Sequence, residues 1–83
     1  MSIDLTQDFF TLFGLHRRYA IDDAALEAAW HELQSQVHPD RHAHLSDVEK
    51  RLSMQWATRV NEGFRTLRQP LTRAQYLLEL AGV

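Results

Sequence analysis

Val37-His38-Pro39-Asp40-Arg41 separates two segments in which apolar residues recur at helical spacing. The apolar residues before it that share one helix face are Leu26, Ala29, Trp30, Leu33 and Val37. Those after it are Leu52, Trp56, Val60, Phe64 and Leu67. Pro39 ends the first segment, because the residue before a proline is pushed out of the helical region. Two long helices joined by a short connection bury such stripes by folding back on each other. The pattern therefore predicts an antiparallel hairpin with residues 38–45 at its tip.

Local signals predict where the two long helices begin and end. Asp22 is a good N-cap, so the first is expected from Asp22 to Val37. Ser46-Asp47-Val48-Glu49 has the pattern of a capping box, in which Ser46 and Glu49 each accept from the other's backbone N–H. This start signal predicts a second long helix that reaches Arg68.

Two shorter helices are predicted to flank the hairpin. One extends from Asp8 to Phe13 and is ended by Gly14, and the other begins at Pro70 and stops before Gly82. The predicted fold class is therefore all-α, an antiparallel hairpin of two long helices with short first and fourth helices. The predicted core consists of Phe10, Leu26, Leu33, Trp56, Val60, Phe64, Leu67 and Leu77. Trp30 and Trp56 are expected to meet inside it.

Composition limits the classes of protein that fit. The chain has 83 residues, enough for one domain, with 45% hydrophobic residues and no cysteine. Neither a secretory signal nor a membrane span is recognisable, so we expect a cytoplasmic location without membrane attachment. The formal net charge of -2 argues against nucleic acid as the main partner.

The predicted tip carries a residue pattern that suits docking to another protein. Pro39 fixes a backbone dihedral and so relates His38 to Asp40. The Asp40 carboxylate could accept two hydrogen bonds from an arginine of a partner. Taken alone, His-Pro-Asp is also a common helix stop and turn, in which the aspartate bonds local backbone.

The surrounding residues decide between these interpretations, because the chain resembles J domains nearly end to end, and among them the HscB co-chaperones of iron–sulfur cluster assembly. His38-Pro39-Asp40-Arg41 is typical of J domains in general, and the Phe-Thr-Leu-Phe-Gly-Leu opening and Tyr-Leu-Leu ending are typical of HscB. The matching segments are Phe9-Phe10-Thr11-Leu12-Phe13-Gly14-Leu15, Arg18-Tyr19, Leu33-Gln34, His38-Pro39-Asp40-Arg41, Asn61, Phe64-Arg65-Thr66-Leu67-Arg68, Pro70-Leu71, Arg73-Ala74 and Tyr76-Leu77-Leu78.

The resemblance implies a function without bond chemistry in this chain. A J domain over residues 1–83 would dock on an HscA-like chaperone of the DnaK type and stimulate its ATP hydrolysis. The residues implied in docking are His38, Pro39, Asp40, Arg41, Trp30, His31 and Gln34. ATP and magnesium belong to the chaperone, so no catalytic residue, cofactor or metal is expected here. The implied client is the iron–sulfur scaffold protein IscU; a general DnaJ-like co-chaperone with another client is the alternative.

Two features depart from the family pattern. J domains usually carry several Lys and Arg on the second helix, whereas residues 22–37 contain none. We therefore expect a less acidic chaperone groove, or a contact dominated by the tip. HscB proteins also have a C-terminal helical domain that provides most of the client-binding surface, and these 83 residues do not include it.

Other functions fit the residues less well. A zinc or nickel site at His38, His42 and His44 is possible in principle, but histidines in a solvated loop account for the pattern more simply. A nucleic-acid-binding module would use the basic residues of the third helix, for which a solvated face with some interhelical ion pairs is the simpler interpretation. These residues are Lys50, Arg51, Arg59, Arg65 and Arg68. With no cysteine and no glycine-rich phosphate loop, enzymatic chemistry is disfavoured.

Overall fold

A computed structural model describes residues 7–37 and 46–83. Within these ranges the chain forms four helices and no strand: α1 (Phe9–Leu12), α2 (Asp23–Val37), α3 (Asp47–Arg68) and α4 (Pro70–Leu80). The all-α fold class is therefore confirmed, including the two long helices flanked by shorter ones. None of the described helices has the length and apolar character needed to cross a bilayer.

α2 and α3 pack against each other in opposite directions. Near the start of α2, Leu26 lines the same groove as Phe64 in the second half of α3. At the other end, the last residue of α2, Val37, accepts a hydrogen bond from Ser53, near the start of α3. The two helices thus form the predicted antiparallel hairpin.

Side-chain caps begin the two long helices at the predicted residues. Asp22 Oδ1 accepts from the backbone N–H of Ala24 at 2.9 Å and of Ala25 at 3.4 Å. Ser46 Oγ accepts from the Glu49 N–H at 3.3 Å. The second contact of the box joins the two side chains, since the Ser46 hydroxyl donates to Glu49 Oε1 at 2.9 Å. This bond replaces the predicted one to the Ser46 backbone.

Glycines in the left-handed conformation end α1 and α4. Gly14 has φ 68° and Gly82 has φ 81°. At the end of α1, the N–H of Gly14 donates to Thr11 O and that of Leu15 to Phe10 O. The same two bonds recur after α4, and both ends are Schellman motifs. α1 is shorter than predicted because Asp8 and Phe13 are its caps.

The buried core lies where α1, α3 and α4 meet and continues between α2 and α3. Its buried apolar residues are Phe9, Phe10, Phe13, Leu26, Val37, Val60 and Leu67. The other members of the predicted core pack against it and are half-buried: Leu33, Trp56, Phe64 and Leu77. α1 approaches α3 very closely, because a Cβ atom at Gly63 would lie 2.8 Å from Cδ1 of Phe9.

The predicted apolar stripe of α3 is wrong at its first position. Leu52 is 39% exposed, whereas Ser53 is 1% exposed and faces α2. Three successive steps of four residues from Leu52 to Phe64 explain the error, because twelve residues at 100° per residue end about 120° away from the starting face. Spacing of 4, 3, 4 and 3 from Ser53 stays on one face instead.

The expected meeting of the two tryptophans is also wrong. Trp30 stacks on Phe64, with ring centroids 4.7 Å apart and planes inclined by 17°, and no Trp30–Trp56 ring pair occurs among the described residues. The antiparallel register places Asn61 opposite Trp30. Trp56 lies five residues before Asn61, about 7.5 Å along the helix axis.

Candidate functional site

The outward face of α2 carries alanines and acidic side chains. Its exposed residues include Ala24, Glu27, Ala28, His31 and Glu32. Asp22 and Asp23 add two more carboxylates at the start of the helix, and residues 22–37 contain no Lys or Arg. His31 Nε2 lies 3.8 Å from Glu27 Oε1, so the one basic group on this face sits beside a carboxylate.

Trp30 and Gln34 lie on the side of α2 that faces α3. Both are half-buried, and both donate to the same acceptor, Oδ1 of Asn61 in α3. The bond from the Trp30 indole nitrogen is 3.1 Å long. This shared acceptor fixes α2 against α3 one turn before the end of α2.

The two helix ends that flank residues 38–45 in sequence are also held together. Val37 is fully buried, and its carbonyl oxygen accepts from the Ser53 hydroxyl at 3.0 Å. His38, Pro39, Asp40 and Arg41 follow directly in sequence and lie outside the described residues. The fold thus brings the first third of α3 to the end of α2, which His38-Pro39-Asp40 follows in sequence.

Comparison with known proteins identifies this arrangement. No family model matches the chain. Over all 83 residues, however, it is 81% identical to the Co-chaperone protein HscB homolog of Aromatoleum aromaticum and 77% identical to that of an Azoarcus species. The chain matches HscB co-chaperones over its whole length. It spans about half the length of these relatives, 47% in both cases.

Solved HscB structures have the same fold. The human co-chaperone HscB superposes with a TM-score of 0.92 at 40% identity, over 96% of this chain and 41% of the human one. HscB from Vibrio cholerae gives a TM-score of 0.90 at 36% identity, over 93% of this chain and 47% of its own. The predicted J-domain fold and the resemblance to HscB are therefore confirmed.

The three α2 residues predicted to contact a chaperone fall into two groups in this J-domain fold. His31 is exposed, with 65% of its side chain accessible, and its ring lies 4.8 Å from that of Trp30. Trp30 and Gln34 use their polar atoms within the hairpin. Of the three, His31 is the one fully presented to a partner.

Arg59 is not part of the solvated basic face expected on α3. Its guanidinium lies 4.1 Å from the centroid of the Phe9 ring and donates to Gln7 O at 3.2 Å. The apolar stem of arginine and the face of an aromatic ring favour this packing. The expected ion pairs between α2 and α3 are not found in the described part of the chain, where Arg17 pairs with Asp8 and His31 lies beside Glu27 of its own helix.

The nucleic-acid and metal alternatives gain nothing from the described residues. Arg68 lies 5.9 Å from the Phe64 ring centroid, so a second basic side chain of α3 packs beside a ring. No three His, Asp or Glu residues converge as metal ligands within residues 7–37 and 46–83. His38, His42 and His44, the candidates of the sequence analysis, lie outside the described residues.

Two residues that organise this end of the J domain were given no role by the sequence. Asn61 was noted only as part of the family resemblance, and Ser53 was not noted. Apolar periodicity cannot identify either, since both are polar. A serine at position 53, on the stripe that Ala57 and Val60 continue, is the one signal that could have pointed to an interhelical bond.

Proposed function

We propose that this chain docks on an HscA-like chaperone of the DnaK type and stimulates its ATP hydrolysis. One observation carries the proposal: a chain 81% identical to a co-chaperone HscB homolog has His38-Pro39-Asp40 between the two helices of its hairpin. We assign residues 1–83 to the J domain. No residue of the chain is assigned a catalytic role.

The mechanism is allosteric. The Asp40 carboxylate accepts charge-assisted hydrogen bonds from an arginine of the chaperone. His38 and Pro39 shape the loop, and Arg41 adds a contact. His31 contributes from the outward face of α2, and Trp30 and Gln34 hold that helix in place. Docking stabilises the chaperone state that hydrolyses ATP, and the free energy for this shift comes from tighter binding to that state. ATP and magnesium are bound by the chaperone.

The charge of α2 specifies the kind of chaperone surface that fits. With four carboxylates and no Lys or Arg over residues 22–37, this face repels an acidic groove. The proposed partner therefore has a groove that is not strongly acidic, and residues 38–41 provide most of the docking contact. Such a contact loses little affinity as salt is raised, because few exposed charge pairs are screened.

The proposed context is cytoplasmic iron–sulfur cluster assembly, with the scaffold protein IscU as client. The HscB name of the relatives supports the pathway. Client binding is assigned to the part of the family protein that lies outside these 83 residues. Residues 1–83 are therefore assigned the action on the chaperone.

Binding to the ATP-bound chaperone tests the proposal. The native chain and Asp40→Asn are titrated against an HscA-type chaperone that binds ATP without hydrolysing it, and binding is followed by fluorescence anisotropy. We expect Asp40→Asn to weaken binding at least about tenfold, because the chaperone arginine loses its charged partner. Asp47→Asn is the matched control, since it removes an exposed carboxylate from the first turn of α3. Equal affinity for the native chain and Asp40→Asn would contradict the proposal.

A further inference from the structure

Ser53 makes an unusual hydrogen bond for a hydroxyl within a helix. Serine and threonine in helix interiors commonly donate to the carbonyl four residues earlier in the same helix. Thr58 does so with Met54 O at 3.0 Å, and Thr66 with Glu62 O at 2.9 Å. Ser53 donates instead to α2, reaching Val37 O at 3.0 Å.

The bond is buried and satisfies a group that needs a partner. Ser53 is 1% exposed and Val37 is fully buried. Val37 is the last residue of α2, and the last four carbonyls of a helix have no backbone N–H partner within that helix. A buried carbonyl without a donor is costly, and Ser53 supplies a donor to this one.

The position of this carbonyl in the chain connects it to the proposed docking residues. The Val37 C=O and the amide nitrogen of residue 38 belong to one planar peptide unit. Ser53 therefore holds the last described carbonyl that precedes His38-Pro39-Asp40 in sequence. The neighbouring bonds of Trp30 and Gln34 to Asn61 already restrain the preceding turns of α2.

We propose that Ser53 is a positioning residue for chaperone docking, which acts by holding the Val37 carbonyl at the end of α2. The inference rests on the proposed function, since it concerns the orientation of the residues assigned to docking. Alanine at position 53 would pack on the same stripe and has a higher helix propensity. The hydroxyl therefore has a role that packing alone does not require.

The test measures how much chain gives half-maximal stimulation of the ATPase of an HscA-type chaperone. Native chain, Ser53→Ala and Ser53→Cys are compared, with concentrations corrected for the folded fraction by circular dichroism. Cysteine keeps the shape of serine but is a weak donor. We expect the half-saturating concentration to rise at least about threefold for Ser53→Ala and less for Ser53→Cys, with maximal stimulation unchanged. Loss of the bond lowers only the docking-competent fraction.

Thr72→Val is the matched control. The Thr72 hydroxyl donates to Thr66 O at 2.7 Å, so this substitution also removes a hydroxyl-to-carbonyl bond, but at the opposite end of the hairpin. We expect its half-saturating concentration to equal that of the native chain. A native value for Ser53→Ala, or an equal rise for Thr72→Val, would overturn the inference. If Ser53→Ala does not fold, Ser53→Cys decides by the same criterion.

A second readout separates this inference from the proposed function. If the native chain gives no stimulation, the proposed function fails, and nuclear magnetic resonance decides the role of Ser53. The carbonyl carbon of Val37 and the amide of His38 should then shift in Ser53→Ala and stay unchanged in Thr72→Val. Unchanged resonances in Ser53→Ala would overturn the positioning role. If the native chain stimulates the ATPase and Ser53→Ala has the same half-saturating concentration, the positioning role is refuted and the proposed function stands.

Discussion

Trp30 in α2 and Asn61 in α3 are joined by a hydrogen bond of 3.1 Å from the indole nitrogen to Oδ1. Gln34 donates to the same oxygen, so one acceptor serves two donors from successive turns of α2. The pair fixes the register of the hairpin on which the proposed docking residues depend.

Replacing Asn61 should therefore destabilise the hairpin. Asn61→Ala leaves the half-buried donors of Trp30 and Gln34 without their acceptor, and we expect the free energy of unfolding to fall by about 1–3 kcal/mol. Urea unfolding followed by tryptophan fluorescence measures this. Asn61→Asp keeps an acceptor oxygen and should lose less. Native stability in Asn61→Ala would show that the shared oxygen does not hold the register.

Gly63 should not tolerate alanine, although alanine has the higher helix propensity by about 1 kcal/mol. A Cβ atom there would lie 2.8 Å from Cδ1 of Phe9 and 3.0 Å from Cε1 of Phe13, and both rings are buried. Overpacking should outweigh propensity and cost about 1–3 kcal/mol net. Thermal unfolding of Gly63→Ala, alone and with Phe9→Leu, checks this. The second substitution should cost less in the alanine background than in the native chain, and a stabilised Gly63→Ala would refute the close approach.

The corrected stripe of α3 predicts unequal effects of two leucine truncations. Leu67 is fully buried, so Leu67→Ala should cost about 2–5 kcal/mol. Leu52 is 39% exposed, and Leu52→Ala should cost well under half of that. Urea unfolding of the two variants under identical conditions makes the comparison. Equal losses would restore the stripe first predicted from the sequence.

Asp8 gives the first helix a dependence on pH. Burial raises its pKa, but the Thr11 backbone N–H, Arg17 and the Thr11 hydroxyl outweigh burial and hold the pKa below its usual value. A carboxyl whose pKa is lower in the folded state contributes stability above its unfolded pKa of about 3.9 and loses it as pH falls through the folded value.

Asp8→Asn isolates this contribution, because asparagine is also a good N-cap but does not titrate. The native chain should be more stable than Asp8→Asn at neutral pH, and the difference should shrink below about pH 4. Urea unfolding of both chains at neutral pH and below about pH 4 measures this difference in stability. A constant difference between them would contradict the lowered pKa.

Features governed by neighbouring residues were predictable from the sequence. The caps at Asp22 and Ser46 are local, since each side chain bonds backbone within three residues. The glycine stops at Gly14 and Gly82 are local for the same reason. Apolar periodicity predicted the hairpin, because both long helices carry one apolar face.

Features that depend on how helices meet were not predictable. Which residue of α3 faces Trp30 is set by the interhelical register, and the sequence does not contain that register. Arg59 lies on Phe9 because α1 folds onto α3, and Arg73 is buried with its guanidinium 4.9 Å from the Tyr19 ring centroid and bonded to Leu67 O. Long basic side chains near rings cannot be assigned to solvent by residue type alone. The prediction that His38, Pro39, Asp40 and Arg41 form the docking contact stays a prediction.

Single-turnover ATP hydrolysis by an HscA-type chaperone tests the central claim most directly. The chaperone is loaded with ATP, and the hydrolysis rate is measured alone, with the native chain and with Asp40→Asn, after circular dichroism has shown both chains to be folded. The account predicts faster hydrolysis with the native chain and no acceleration with Asp40→Asn. A folded native chain that leaves the rate unchanged, or an Asp40→Asn chain as effective as the native one, would contradict it.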